Sequence, residues 1–293
     1  MAICLVTGHK GYIGSRLCDE LLEQGHEVRG IDLNDEISHD VRTVLREGHD
    51  GSFHPYYYDF KPEYIFHLAC WPRVGYSVEK PVETATNNIL AGSVVLNFAR
   101  KVGSVKRFIY SSSSSVKGNG TGPISPYALQ KHTTERETSI YADIYGLETV
   151  SLRYFNVYSE DQRATGAYAT AIANWMHSIR TGINPFITGD GTQRRDMVHV
   201  DDAVAANLFC MNYEGSFNGS AFEVGTGTNI SLNEAREIVE KYFPHVKFDL
   251  RPPRAGDVRE TLADTRAIES HGWTPTITLE DGIRACFGRL RDE

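Results

Sequence analysis

The chain has 293 residues, enough for one large core or two modest ones, and its 41% hydrophobic and 23% charged content is ordinary for a water-soluble globular protein. A formal net charge of −8 argues against a surface built for nucleic acid or an anionic membrane. Cys4, Cys18, Cys70, Cys210 and Cys286 are widely spaced with no CxxC pair, which points to reduced thiols in a cytoplasmic protein. No apolar run approaches membrane-spanning length, and the histidines show no metal-ligand spacing, so neither a membrane span nor a metal site is expected.

Residues 2–6 form an apolar run that reads as a buried strand. The glycine-rich segment TGHKGYIG follows at residues 7–14, and Ile13, Leu17 and Leu21 then recur at helical spacing. Such a turn brings backbone close to a pyrophosphate, and the helix that it opens offers unpaired amides and a positive dipole end. The glycines Gly8, Gly11 and Gly14 are spaced GxxGxxG rather than GxGxxG. Asp32 ends the next apolar stretch, near the distance at which an acid accepts hydrogen bonds from an adenosine ribose. Its charge would repel a 2′-phosphate, so the expected cofactor is NAD rather than NADP.

Strand-like runs at 2–7, 27–32, 64–69, 107–112 and 148–153 alternate with helical patterns at 12–24, 84–102 and 127–145, the last stopping at Gly146. That alternation implies an α/β fold with a doubly wound parallel sheet. Between residues 33 and 63 the sheet needs another strand. The spacing places it at 37–41, with Asp40 at the adenine edge; a strand at 56–60, with Asp59 in that role, leaves too few residues to cross back to residue 64. After Asn156, loops rich in glycine, asparagine and aspartate separate shorter helices. Ser231 and Glu234 form a capping-box pattern before a helix reaching Phe243. The expected division is a dinucleotide-binding domain at 1–156, rejoined around 194–219, and a smaller C-terminal substrate-binding lobe at 157–193 and 220–293, laid where such sheets bind ligands.

Tyr127 and Lys131 form a YxxxK pair, i and i+4 on one helix face. An ammonium beside a phenol favours the phenolate, and a nearby nicotinamide cation favours it further. Bringing a tyrosine from about 10 towards neutrality requires roughly 3 pH units, or about 4 kcal/mol. The serine run at 111–115 ends an apolar strand, and Phe155–Asn156 ends the next at the same edge of the sheet. Glycine turn, serine run, YxxxK and strand-end asparagine come in the order of a single active site.

With these motifs the sequence resembles the extended short-chain dehydrogenase/reductase family, a Rossmann-type fold, and within it the nucleotide-sugar 4-epimerases. The resemblance spans nearly the whole chain, through TGHKGYIG, HLAC, SSSSSVKG, SPYALQK, RYFNVYS, GDGTQRRDMVHVDD and RAGDVRETLAD. It implies that Ser113 is the catalytic hydroxyl, Tyr127 the base and Lys131 its partner. NAD contacts are implied for Gly8, Gly11, Tyr12, Ile13, Gly14, Asp32, Asn34, Asp40, Val41, Leu68, Ala69, Asn88, Ser111, Tyr127, Lys131 and Phe155. Ser113, Asn156, Arg195, Arg254 and Thr261 are the implied contacts to a UDP-sugar. Thr261 stands where a bulky aromatic narrows the family's pocket against a 2-acetamido group. Homodimers of the family pair the helices that correspond to 84–102 and 127–145; here Val94, Val95, Phe98, Ile140 and Ile144 could meet a second copy or fill the chain's own core.

Three departures stand out. Lys117 replaces the tyrosine of the usual VYG, the loop from Gly118 to Ser125 is about ten residues short of the usual length, and the segment between Asp32 and Asp40 is compressed. Dehydratases and decarboxylases of the family carry acidic residues after the catalytic hydroxyl, where this chain has Ser114 and Ser115. A non-catalytic NAD-binding protein would be expected to have lost YxxxK, which is intact here.

Overall fold

The apolar run at the start of the chain forms β1 (Ile3–Thr7), with Cys4, Leu5, Val6 and Thr7 fully buried. The computed structural model describes residues 1–35, 40–72, 74–162, 170–253 and 258–292. They form two compact units, Met1–Arg153 with Val204–Phe222, and Tyr154–Ala203 with Glu223–Glu293.

In the first unit β1 leads through α1 (Tyr12–Glu23) to β2 (Glu27–Ile31), then through the one-turn helices α2 (Val41–Val44) and α3 (Pro55–Tyr58) to β3 (Tyr64–His67). Next come α4 (Val74–Glu79), α5 (Pro81–Ala85), a π-helical turn (Thr86–Leu90) and α6 (Ala91–Val102), which stops at Gly103 in the left-handed region. The chain continues through β4 (Arg107–Ser113), a 3₁₀ turn (Ser114–Lys117), α7 (Pro126–Tyr145) and β5 (Thr149–Tyr154). With β8 (Ala221–Val224) these strands form one sheet in the order β2-β1-β3-β4-β5-β8. The pairs β1/β2, β1/β3 and β3/β4 are parallel, and their register aligns Thr7 with Ile31 and His67, and His67 with Tyr110. Leu5, Ile65, Phe108, Leu96 and Phe98 are among the core residues of this unit.

Most of the strand expected at 37–41 falls outside the described residues. Residues 36–39 lie outside the described part, Asp40 caps α2 through a bond from Arg42 N, and Val41 opens that helix. The rival stretch at 56–60 is not a strand either, since α3 occupies most of it. No described strand lies beyond β2, which is left as the sheet edge. Arg29 of β2 is sandwiched between the rings of Tyr56 and Phe60, at 4.0 and 3.9 Å, and donates to the Tyr56 carbonyl. An aromatic clamp thus holds the edge strand.

The second unit contains α8 (Ala171–Arg180), β6 (Phe186–Thr188), β7 (Arg194–Arg195), β9 (Ile230–Ser231), α10 (Leu232–Tyr242), β10 (Asp249–Arg251), β11 (Glu260–Thr261), α11 (Arg266–Glu269) and α12 (Leu279–Asp292). Helix α9 (Val200–Asn212) starts in this unit and ends in the first. Ser231 and Glu234 make both bonds of the capping box of α10. Its core gathers Trp175, Met176, Ile187, Ile238, Ile283 and Phe287. Val204–Phe222 rejoin the first unit, and Arg194 and Arg195 of β7 pair with β11 and β9 in the second.

Candidate active site

The glycine turn is built by close approach. Gly8, at φ +75, donates to the Ile31 carbonyl at 2.7 Å, and a Cβ on it would come within 2.8 Å of Ala69 N. A Cβ on Gly14 would lie 2.1 Å from the Gly8 carbonyl, which no side chain tolerates. Gly11 caps α1 with no side-chain bond, so the helix opens without a side-chain cap from that residue. Asp32 follows β2, where it accepts from Lys10 N at 3.1 Å and from Asn34 N at 2.9 Å. This cradle fits a dinucleotide, with a turn too tight for side chains, a helix start without a side-chain cap from Gly11 and a carboxylate at the end of the second strand.

Other predicted cofactor positions line the same unit. Leu68 donates its amide to Thr7 O, and Ala69 adjoins Gly8. Asn88, on the π-helical turn, is buried; its side chain accepts from Trp71 N and donates to Gln130 of α7, each at 2.8 Å. It ties the loop after β3 to α7. Asp40 is held by Arg42 in a forked ion pair, and that guanidinium keeps its carboxyl below the usual range.

Pro126 opens α7 behind Ser125, whose hydroxyl accepts from Ala128 N, and this start puts Tyr127 and Lys131 on one buried stripe. Lys131 Nζ donates to the Ser111 carbonyl at 2.6 Å and lies 5.0 Å from the Tyr110 ring centre. Ser113 Oγ accepts from Ser115 N at 3.2 Å and Ser115 Oγ at 2.9 Å, and bonds to the Tyr127 phenol. Burial pushes the Tyr127 phenol well above its ordinary 10, while Lys131 and the Ser113 bond pull it down. Lys131 and the Ser113 bond therefore do not by themselves offset the burial of this phenol.

The shortened loop folds on itself. Gly118, Gly120 and Gly122 all take positive φ, and the amides of the last two donate to the Lys117 carbonyl at 3.0 and 3.2 Å.

The second unit carries Phe155, Asn156, Arg195 and Thr261; Arg254 lies outside the described residues. Phe155 is buried and donates its amide to Val224 O. Asn156 has φ +40, unusual for a residue with a side chain, and its Nδ2 donates to the Asp196 carbonyl at 2.7 Å. Arg195 bonds to the carbonyls of Arg194 and Arg259. Thr261 Oγ1 accepts from Asp196 N at 3.2 Å and is approached by Asn156 Nδ2 at 3.4 Å.

Sequence reasoning missed Asp196 as the organiser of this cluster. Its buried carboxylate accepts from Thr226 N and Oγ1, Gly227 N and Ala263 N, and burial still raises its pKa against those bonds. A lone acid ahead of the apolar Met197–Val198 was the available signal. Asp202 acts similarly, accepting from Thr276 N, Thr276 Oγ1 and Ile277 N.

The model of the NAD dependent epimerase/dehydratase family matches residues 4–225. A UDP-glucose 4-epimerase of Mycolicibacterium smegmatis is 34% identical over 302 residues, with 95% of each chain covered. A solved UDP-glucose 4-epimerase with UDP-glucose from Thermotoga maritima superposes at a TM-score of 0.85 with 31% identity, covering 99% of this chain and 98% of that one. The UDP-N-acetylglucosamine 4-epimerase of Methanobrevibacter ruminantium, solved with UDP-N-acetylmuramic acid, gives a TM-score of 0.85 with 26% identity, covering 98% and 97%.

Proposed function

This chain belongs to the NAD dependent epimerase/dehydratase family, and from that premise we propose that it inverts C4 of a UDP-sugar through a 4-keto intermediate. NAD is its cofactor, and the residues proposed to hold it are those of the glycine cradle with Asp32. The observation that carries the reading is the Ser113–Tyr127–Lys131 constellation, in which Tyr127 and Lys131 are buried and Ser113 is half-buried.

In this reading Tyr127 takes the proton of the sugar's 4-hydroxyl, relayed through Ser113, while Lys131 steadies the phenolate. When held by the glycine cradle and Asp32, NAD would supply reversible hydride chemistry at C4. Tyr127 then gives its proton back to the new 4-oxygen, so protons and electrons balance over one cycle. Ser114 and Ser115 support epimerisation over dehydration, because an elimination needs an acid near the departing hydroxyl and Ser115 is spent on Ser113. Replacing Tyr127 with Phe should lower turnover by about 10²–10⁴-fold while calorimetric binding of the UDP-sugar persists. Near-normal turnover would remove the base and the mechanism with it.

For the sugar, we propose that 2-acetamido substrates, UDP-GlcNAc and UDP-GalNAc, are accepted alongside UDP-Glc and UDP-Gal. Thr261 is much smaller than an aromatic, and its hydroxyl oxygen already accepts from Asp196 N, which leaves its proton to donate to an amide carbonyl. Thr261→Tyr should reduce turnover of the N-acetylated pair far more than that of the unsubstituted pair. Equal losses, or no N-acetyl activity in the parent, would defeat the assignment. Asn156 and Arg195 are proposed to contact the same nucleotide sugar, and Arg254 is proposed to do so from the family pattern.

A further inference from the structure

Three side chains of α7, each four residues from the last, meet the final three residues of β4. Tyr127 bonds to Ser113, Lys131 donates to the Ser111 carbonyl, and Glu135 accepts from the Ser112 hydroxyl at 2.8 Å. The first two belong to the proposed reaction centre, and the third has no part in it. Glu135 and Ser112 are both buried, and a carboxylate in such a place is costly unless it is paired and hydrogen-bonded. Its pair is Arg153 of β5, whose Nε reaches Oε2 at 2.9 Å while Nη2 reaches Oε1. One carboxylate therefore joins α7, β4 and β5.

We propose that Glu135, anchored by Arg153, is a positioning residue that fixes the end of β4 against α7 so that Ser111 O meets Lys131 and Ser113 Oγ meets Tyr127. The inference rests on the epimerase reading above. Buried ion pairs contribute little net stability, and their best-attested use is to fix register. Ser112 lies between the two residues whose placement matters, so holding its hydroxyl holds both neighbours. A displacement of about 1 Å in a reacting constellation costs on the order of 10²-fold in rate. A glutamine at this position keeps one acceptor oxygen and introduces an NH₂ that faces donors, so Ser112 or Arg153 loses its partner. An aspartate keeps the charge but falls one methylene short.

The test compares Glu135→Gln and Glu135→Asp with the parent holoenzyme in turnover per bound NAD, KM, the pH profile of kcat and thermal midpoint. Glu135→Gln should lower kcat on the order of 10²-fold with KM for the UDP-sugar nearly unchanged. The acid limb of its kcat profile should move to higher pH, because Tyr127 loses part of the pull of Lys131. Glu135→Asp should fall between. A lower thermal midpoint with unchanged kcat per bound NAD would overturn the proposal, leaving Glu135 a brace of the fold. Should Glu135→Gln fail to fold, Glu135→Asp and Arg153→Lys give the same readouts. A parent protein that turns over no UDP-sugar would overturn the epimerase reading and this inference together; a working parent with variants at parity would overturn this inference alone.

Discussion

His67 ends β3 with its ring stacked on Tyr110 at 5.7 Å and its Nδ1 2.7 Å from Thr7 Oγ1. Burial, with Lys131 nearby, lowers its pKa from 6.5 to about 3, so the native state holds it neutral. The unfolded chain binds a proton near 6.5 that the folded chain refuses until about 3. The stabilisation from a neutral His67 is therefore complete above 6.5 and is lost as pH falls towards 3. Between pH 7 and pH 5 this one group should cost about 2 kcal/mol of stability. Urea unfolding at the two pH values should show a steeper loss in the parent than in His67→Phe, which keeps a ring on Tyr110. Identical losses in both proteins would contradict the linkage. Tyr127 shows the converse lesson about single residues: its partner was legible from YxxxK, but the weight of burial on its phenol was not.

At the scale of elements, legibility followed the range of the interactions. The helix ending at Gly146 and the capping box at Ser231 and Glu234 are local signals, and both appear in the structure. The expected helix at 84–102 is present as an unbroken helical run through α5, a π-helical turn and α6, and Asn88 on that turn reaches Trp71 and Gln130 far along the chain. Among the described residues from 33 to 63, Tyr56 and Phe60 clamp Arg29 of β2, a contact between residues about thirty apart. Within unit 1, Tyr127, Lys131, Ser111 and Ser113, the residues with motif spacing, come together. Asp196 and Glu135 were overlooked because their partners, Ala263 and Arg153 among them, share no spacing rule with them. For Glu135 a cue existed in hindsight: it lies one helical step beyond Lys131 on the same stripe.

At the scale of the whole molecule, the candidates for pairing two copies separate into two groups. Val95 and Phe98 are buried in the chain's own core and Val94 packs against it, whereas Ile140 and Ile144 remain 42% and 67% exposed. Leu90 and Leu129, near the same helices, are also exposed. We propose a homodimer through the exposed faces of α6 and α7, which light scattering at micromolar concentration should report at twice the chain mass. Replacing Ile140 and Ile144 with lysine should then yield monomers with folding intact, and a monomeric parent would rule this arrangement out.

The central claim is that C4 loses and regains its own hydrogen as hydride. It is tested most directly by incubating the purified protein with UDP-glucose and UDP-GlcNAc in D₂O and following the sugars by proton NMR. The account predicts growth of the C4 epimer with protium retained at C4 and no accumulation of reduced cofactor. Deuterium at C4, a product that has lost water or carbon dioxide, or recovery of both sugars unchanged would contradict it.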